Sequence, residues 1–280
     1  MTESSARAWR HWREPEWIEV DGLRTAYRRQ GDGETLLYLH GVGATRQWLP
    51  LHRRLSEGFD LVAPEHPGFG DTALPDWVRS VDDLVLHYDA LIDALKLERV
   101  HLVGHSLGGW LAACLAITYP QRFSSLSLVT PVGLRVPEAP LADIFRLPPE
   151  SHFELLLGGA PPQRYVEYFE LENELEDTIQ AYGESITLAR LLWNPRYDSR
   201  LDHRLARIEI PTVVIGAQDD RLVPDLQLDR WTEKIAGARK LTIAGVDDEP
   251  TGHLLVLQQP DALAAAIAAH AAALTPANRS

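Results

Sequence analysis

The stretch Val100-His101-Leu102-Val103-Gly104-His105-Ser106-Leu107-Gly108-Gly109-Trp110 decides how this chain is read. A short apolar run, Arg99 to Val103, leads into a turn with a serine at its apex. A helical run from Trp110 to Tyr119 follows. The frame around the serine is G-x-S-x-G. Glycines at 104 and 108 leave out Cβ atoms where a tight turn crowds the neighbouring backbone. A serine in such a turn is predicted to stand exposed above the sheet edge on strained backbone. The next N–H then points at whatever the hydroxyl attacks. The strand–turn–helix context separates this pentapeptide from a chance glycine-rich turn.

A serine hydroxyl is a poor nucleophile near neutral pH, so it needs a base, and the base needs an orienting acid. Both are expected at strand ends further along. Pro211 to Gly216 reads as a buried strand and runs into Ala217-Gln218-Asp219-Asp220-Arg221-Leu222-Val223-Pro224. Lys240 to Ile243 reads as another strand. It leads through Gly245 to Thr251-Gly252-His253, then to Gln259-Pro260 and an Ala-rich helix. The order Ser, Asp, His is the one expected for a serine elbow of this kind.

Four motifs in this order resemble the α/β-hydrolase fold: His40-Gly41-Val42-Gly43 after a strand, Gly104 to Gly109, Asp220 to Pro224, and Gly252-His253 with Pro260 beyond. The similarity runs from about residue 17 to about residue 274. It implies an α/β fold: a mostly parallel eight-stranded sheet, helices on both faces and an inserted helical cap. It also implies Ser106 as nucleophile, His253 as base and Asp220 as orienting acid. Asp220 is selected over Asp219 because the family's acid lies four residues before the closing proline. Asp219 is then a turn residue or a supporting charge, and Asp247, Asp248 and Glu249 are loop charges. Leu107, following the nucleophile, is expected to give one oxyanion N–H, and by resemblance Val42 gives the second. His40 is read as structural. In the loop Pro64 to Thr72 the chain carries Glu65 and His66 where the family often has Asp and Arg; these are not triad positions.

Strand signals fall at 17–20, 23–28, 36–39, 60–63, 100–103, 126–129, 212–215 and 240–243. Between several of them lie helical patterns, which implies a parallel sheet covered on both faces. The clearest helix spans Ser80 to Leu95, with Val81, Leu84, Val85, Tyr88, Leu91, Ile92 and Leu95 on one face and a capping-box pattern at Ser80 and Asp83. From Thr130 to Pro211 the alternation stops, and helical patterns appear at 164–175 and 181–193. The expected division is a core of 1–131 and 208–280 and a helical cap of 132–207. The acidic run Glu167, Glu170, Glu172, Glu174, Glu176, Asp177 does not converge on a metal and reads as a solvated helix face. Asp261 to Leu274 is predicted to be the terminal helix, with Leu263, Ile267 and Leu274 as core contacts.

The formal net charge of −13 argues against nucleic acid and anionic membranes as partners. A single cysteine, Cys114, sits in an apolar helical stretch, excludes an internal disulfide and fits a reducing compartment. No targeting or spanning segment is read, so a cytoplasmic protein without membrane insertion is expected. With no metal motif or phosphate loop, no cofactor is expected. The oligomeric state is left open.

Serine at the elbow points to acyl transfer. Relatives of this fold that act on haloalkanes or epoxides place Asp there, so those reactions are disfavoured. The partner is then a small-molecule substrate, with a carboxylic ester or lactone as first choice. Gly41, His105, Arg190 and Trp193 are candidate substrate-binding residues. Arg190 either holds a substrate carboxylate, as the resemblance to carbon–carbon hydrolases of dienoate ring-cleavage products implies, or is an exposed helical arginine, which is the favoured reading. A ligand receptor on the same fold stays open as a third reading. The aromatics Phe153, Tyr165, Tyr168, Phe169 and Trp193 either line a pocket or pack the cap onto the core; packing is the favoured reading for each.

Overall fold

The computed structural model describes residues 11, 13–168 and 174–273; side chains at 149, 150, 174, 176 and 177 are not described. Phe169, Glu170, Glu172 and Leu274, named above, lie outside the described residues, as do the side chains of Glu174, Glu176 and Asp177.

Eight strands form one sheet: β1 (Glu16–Val20), β2 (Leu23–Gln30), β3 (Glu34–Leu39), β4 (Phe59–Pro64), β5 (Val100–His105), β6 (Phe123–Val129), β7 (Thr212–Ala217) and β8 (Arg239–Ile243). Their order is β1-β2-β4-β3-β5-β6-β7-β8. β2 pairs antiparallel with both β1 and β4, and every other pairing is parallel. All six residues of β4, β5 and β7 are buried. That is the expected signature of parallel strands covered on both faces, and it explains why they are mostly apolar, with Asp60 in β4 and His101 and His105 in β5 among the buried polar exceptions.

Nine α-helices are present among the described residues: α1 (Pro50–Leu55), α2 (Val81–Ala94), α3 (Leu107–Thr118), α4 (Pro149–Leu156), α5 (Glu174–Leu192), α6 (Leu201–Arg204), α7 (Asp225–Lys234), α8 (Leu255–Gln258) and α9 (Pro260–Ala272). α2 begins where the cap pattern placed it. The Ser80 hydroxyl accepts the Asp83 N–H at 3.3 Å. The Asp83 carboxylate, however, takes the Ser80 hydroxyl proton and the Arg79 N–H instead of closing a full box on the Ser80 backbone. α3 is small and apolar, with Leu107 to Ala116 all buried, so it packs tightly against β5 and β6.

Between β6 and β7 the described residues contain helices and 3-10 turns and no strand. The helical pattern read at 164–175 resolves into two 3-10 turns, Pro162–Arg164 and Val166–Tyr168, and the start of α5. Leu201, Leu205 and Ile208 are fully buried in the same apolar cluster as Val100 and Leu115. The return from this segment into β7 is therefore part of the main core. Phe153, Tyr165 and Tyr168 pack against a second apolar cluster, which includes Leu36, Leu255 and Leu263, as favoured. Leu263 and Ile267 of α9 are core contacts. Among the described residues no helix is long and apolar enough to cross a membrane.

Candidate active site

Parallel strands deliver their carboxyl ends to one edge of the sheet, and the loops leaving that edge carry the candidate residues. Ser106 follows β5, Asp220 follows β7, His253 follows β8 and His40 follows β3. At the elbow, Ser106 sits at φ 55° and ψ −115°. Left-handed backbone at a non-glycine costs about 1–3 kcal/mol and has to be held by its surroundings. The Ser106 N–H donates to Val129 O at 2.9 Å. A Cβ at Gly104 would lie 2.2 Å from Gly108 O, and one at Gly108 would lie 2.1 Å from Leu39 O. Glycine at both positions is thus what lets α3 start directly against β3 and β5.

The three candidate triad side chains meet. Ser106 Oγ lies 2.8 Å from His253 Nε2, and His253 Nδ1 lies 2.9 Å from Asp220 Oδ2. Asp220 Oδ1 accepts the N–H groups of Leu222 and Val223, each at 2.8 Å. Those bonds fix the carboxylate and leave Oδ2 for the imidazole, which pins its proton to Nδ1 and aims Nε2 at the serine. Asp219 points elsewhere: its Oδ2 accepts the Thr251 N–H at 2.9 Å, and its own N–H donates to Thr251 O at 2.8 Å. It clamps the loop that presents His253. Asp247 and Asp248 both have positive φ in the turn after β8.

His105 is buried, and its Nε2–H donates to the His253 carbonyl at 2.9 Å. Burial first, then the neighbouring His253, pushes its pKa down to about 3. The neutral ring therefore holds the His253 backbone in place. A Cβ at Gly41 would meet His105 Nδ1 at 2.9 Å and Ser106 Cβ at 3.1 Å, so glycine lets the loop after β3 pass beside the serine. That loop is braced by two neutral histidines. His66 N–H donates to His40 Nε2 at 3.0 Å, His66 Nε2–H donates to His40 O at 2.9 Å, and Tyr88 O–H donates to His66 Nδ1. Burial lowers the pKa of both. Below them Glu65, fully buried, accepts from Arg28 at 2.7 Å and from the N–H groups of Asp71 and Thr72. The departure from the family's usual residues at 65 and 66 thus keeps a buried acid and a buried ring in the bracing of the loop.

Ser106 and His253 open on a cavity of about 460 Å³. Its walls are mainly aliphatic, with Val132, Leu141, Leu156, Leu188, Leu192 and Leu222 among them. Val42 and Leu107 line it beside the serine. Leu107 is the first residue of α3, so its N–H has no intrahelical acceptor. A second cavity of about 530 Å³ shares Val42, His152, Leu156, Ser185 and Leu254 with the first, and adds Arg46, Gln180 and Glu184.

Two candidate pocket residues lie elsewhere. Arg190 is exposed, and its guanidinium donates to Asp76 O at 2.8 Å. Trp193 is 63% exposed and packs on Phe145 outside the cavity. The reason is helical phase: α5 turns Ser185, Leu188 and Leu192 inward, which puts 190 on the opposite face and 193, just past the helix end, on its flank. The cation on the cavity wall is Arg196, three residues past Trp193, ion-paired with Asp143. Sequence reading missed Arg196 and His152. The phase of α5 was the available signal for the inward leucines, but Arg196 lies in irregular chain with no pattern to find it.

Against known proteins, residues 36–266 match the model of the alpha/beta hydrolase family. The chain belongs to the α/β-hydrolase family. A 2-hydroxy-6-oxo-2,4-heptadienoate hydrolase of Pseudomonas putida is 36% identical to this α/β hydrolase over 231 residues, 74% of this chain and 79% of the relative. The acetyltransferase component of an acetoin-cleaving system from Cupriavidus necator is 37% identical over 120 residues, 42% of this chain but only 32% of that protein's length. Among solved structures, a serine hydrolase involved in carbazole degradation superposes with a TM-score of 0.74 at 23% identity, covering 93% of this chain and 99% of that one. That likeness establishes the shared α/β-hydrolase fold.

Proposed function

We propose that this α/β hydrolase cleaves a small, largely apolar carboxylic ester or lactone through an acyl-enzyme on Ser106. The observation that carries the reading is the unbroken chain from Asp220 through His253 to Ser106 at the wall of an aliphatic cavity. In this mechanism Ser106 Oγ attacks the carbonyl carbon while His253 Nε2 takes its proton. Asp220 stays ionised and stabilises the imidazolium. The oxyanion is held by the N–H groups of Leu107 and Val42, each worth about 3–4 kcal/mol in such sites. The tetrahedral intermediate collapses with loss of the alkoxide, which takes the proton from His253. Water then repeats the sequence on the acyl-enzyme. Of the residues 132–207 read as a cap, the part up to about residue 200 covers this chemistry, while Leu201 and Leu205 pack in the main core; those facing the cavity run from Val132 to Arg196.

An uncharged substrate is favoured by electrostatics. Among the described residues lining the aliphatic cavity, the one guanidinium is that of Arg196, already paired with Asp143. A substrate carboxylate would have to displace that partner. The second reading is hydrolysis of a carbon–carbon bond in a dienoate, and the name of the Pseudomonas putida relative supports it. The two are separated by kcat/KM on p-nitrophenyl acetate and butyrate against 2-hydroxy-6-oxohepta-2,4-dienoate, with fluorophosphonate labelling to locate the nucleophile. The ester reading expects the esters to lead and the label on Ser106. A lead for the dienoate transfers the conclusion to the second reading, and a label elsewhere overturns both.

A further inference from the structure

Most large apolar side chains left exposed are scattered singly, as is ordinary for a soluble surface. On α5 they are not. Ile179, Tyr182 and Ile186 are 62%, 68% and 48% exposed, and Trp193, one residue past the helix end, is 63% exposed. At 3.6 residues per turn these four fall within an arc of about 60°, a single outward stripe. Trp77, 46% exposed, adjoins it where Arg190 donates to Asp76 O. Contiguous exposed apolar surface of this kind marks an interaction site.

We infer that the outward face of α5 is a self-association surface, on which a second copy of this chain docks its own α5 antiparallel across a two-fold axis. Two features favour a second copy over other occupants. First, the stripe is self-complementary. With the axis between positions 182 and 183, each Ile179 meets the partner copy's Ile186 position, and the two exposed Tyr182 rings face each other across the axis. Second, charge runs lengthwise along the helix. The sequence of its first turn, Glu174-Leu175-Glu176-Asp177, is acidic and its last turn carries Arg190. An antiparallel copy sets unlike ends together and opposes the two helix dipoles favourably. A lipid surface offers no counterpart to that pattern, and the net charge of −13 works against anionic membranes.

A 19-residue helix is about 28 Å long and about 10 Å wide. That face is smaller than the ~800 Å² per partner of a standard interface, so the dimer is weak and concentration-dependent. The arrangement has a functional consequence. The inward face of the same helix, through Ser185, Leu188 and Leu192, lines the candidate substrate cavity, so docking steadies one wall of it.

Sedimentation equilibrium of the full chain across concentrations from ~1 µM to ~500 µM, a range set by micromolar to millimolar affinities, tests the inference. A mass rising towards twice that of the chain supports it, and a monomer throughout overturns it. Because Ile179 and Ile186 are exposed, Ile179→Glu and Ile186→Glu should fold normally and shift the transition to at least tenfold higher concentration. A dimer unaffected by both overturns the assignment of the face. As an independent readout, Tyr182→Cys, the stripe position next to the axis, should form an intermolecular disulfide under mild oxidant, while Leu86→Cys on α2, about equally exposed, should not; Cys114 is buried. Equal crosslinking of the two, or binding of monomer to phosphatidylcholine vesicles through this stripe, overturns self-docking. None of these readouts depends on the ester reading.

Discussion

The strand-end edge of the sheet and the helix that roofs the cavity are built on opposite terms. At the sheet edge, Ser106 and Asp220 follow the fully buried strands β5 and β7 directly or within a few residues, while His253 lies further on, past the loop after the largely exposed β8. Backbone hydrogen bonds fix the side chains of Asp220 and His105, and Asp220 in turn holds the His253 ring against Ser106. On the roof, α5 presents aliphatic side chains inward and exposed apolar ones outward, and its polar bonds go to the loop after β4: Thr187 to Gly68 O, Gln180 to Gly70 O and Glu184 to the Gly70 N–H. The proposed chemistry, which would tolerate little misplacement, lies on the rigid half. Shape, which tolerates more, is left to the half held by side-chain packing.

The sharpest break of this comparison is at Ser106. Ser106→Ala should lower kcat by about 10⁵–10⁶, as for a nucleophile acting within an intact triad, while the melting temperature stays within a few degrees. Full activity in this variant would remove the chemical half from the comparison altogether.

The adjacent aspartates offer a finer cut. Asp220→Asn should cost about 10³–10⁴ in kcat, because the amide turns the His253 tautomer the wrong way. Asp219→Asn loosens only the loop clamp at Thr251 and should cost about tenfold, with Thr251 keeping its bond to the Asp219 backbone. Steady-state kinetics on one ester ranks the two, and the reverse ranking would mean that the loop, not the imidazole, is what the acid controls.

Rigidity at the elbow has its own signature. Gly108→Ala forces a Cβ to 2.1 Å from the Leu39 carbonyl oxygen, so the backbone has to move; a loss of about 3 kcal/mol or more is expected, read from urea unfolding. Gly183→Ala, on the exposed face of α5, should instead stabilise by up to about 1 kcal/mol, since Gly is the poorer helix former.

Acid should act on the sheet half first. Burial pushes the pKa of His52 and His105 down to about 3 and that of His87 down to about 4. Their unfolded forms take protons from about pH 6.5 downwards while the folded forms stay neutral. Stability from each is therefore fully present above about pH 6.5 and is lost as pH falls towards 3–4, at up to about 1.4 kcal/mol per pH unit per histidine. Thermal melts between pH 7.5 and 5 should show this slope, and His87→Gln should flatten it without touching the site.

The smallest expected effect tests the roof. Leu188→Ala or Leu192→Ala should reorder an ester chain-length series by several-fold, the one- to three-kilocalorie scale of hydrophobic pockets. Arg190→Ala should leave that order unchanged. If Arg190→Ala reorders the series and the leucines do not, the inward and outward faces have been assigned the wrong way round.

The sequence by itself determined the sheet and the order of chemistry along it. Buried parallel strands need mostly apolar runs, the elbow needs glycine at 104 and 108, and the acid and base need strand ends; each demand leaves its own residue type at its own spacing. Asp220 over Asp219 was legible because a closing proline sets the register of that loop. Which roof residues face the cavity was not legible in the same way. Arg190 and Trp193 carry suitable chemistry but lie on the wrong side of a helix whose rotation is set by packing of Leu188, Leu191 and Leu192 against the core. Arg196 reaches the cavity only because the chain after α5 folds back beside Asp143. A motif records local constraints on the backbone, whereas the direction of a side chain across a cavity is fixed by distant elements, and that was decided only by the tertiary structure.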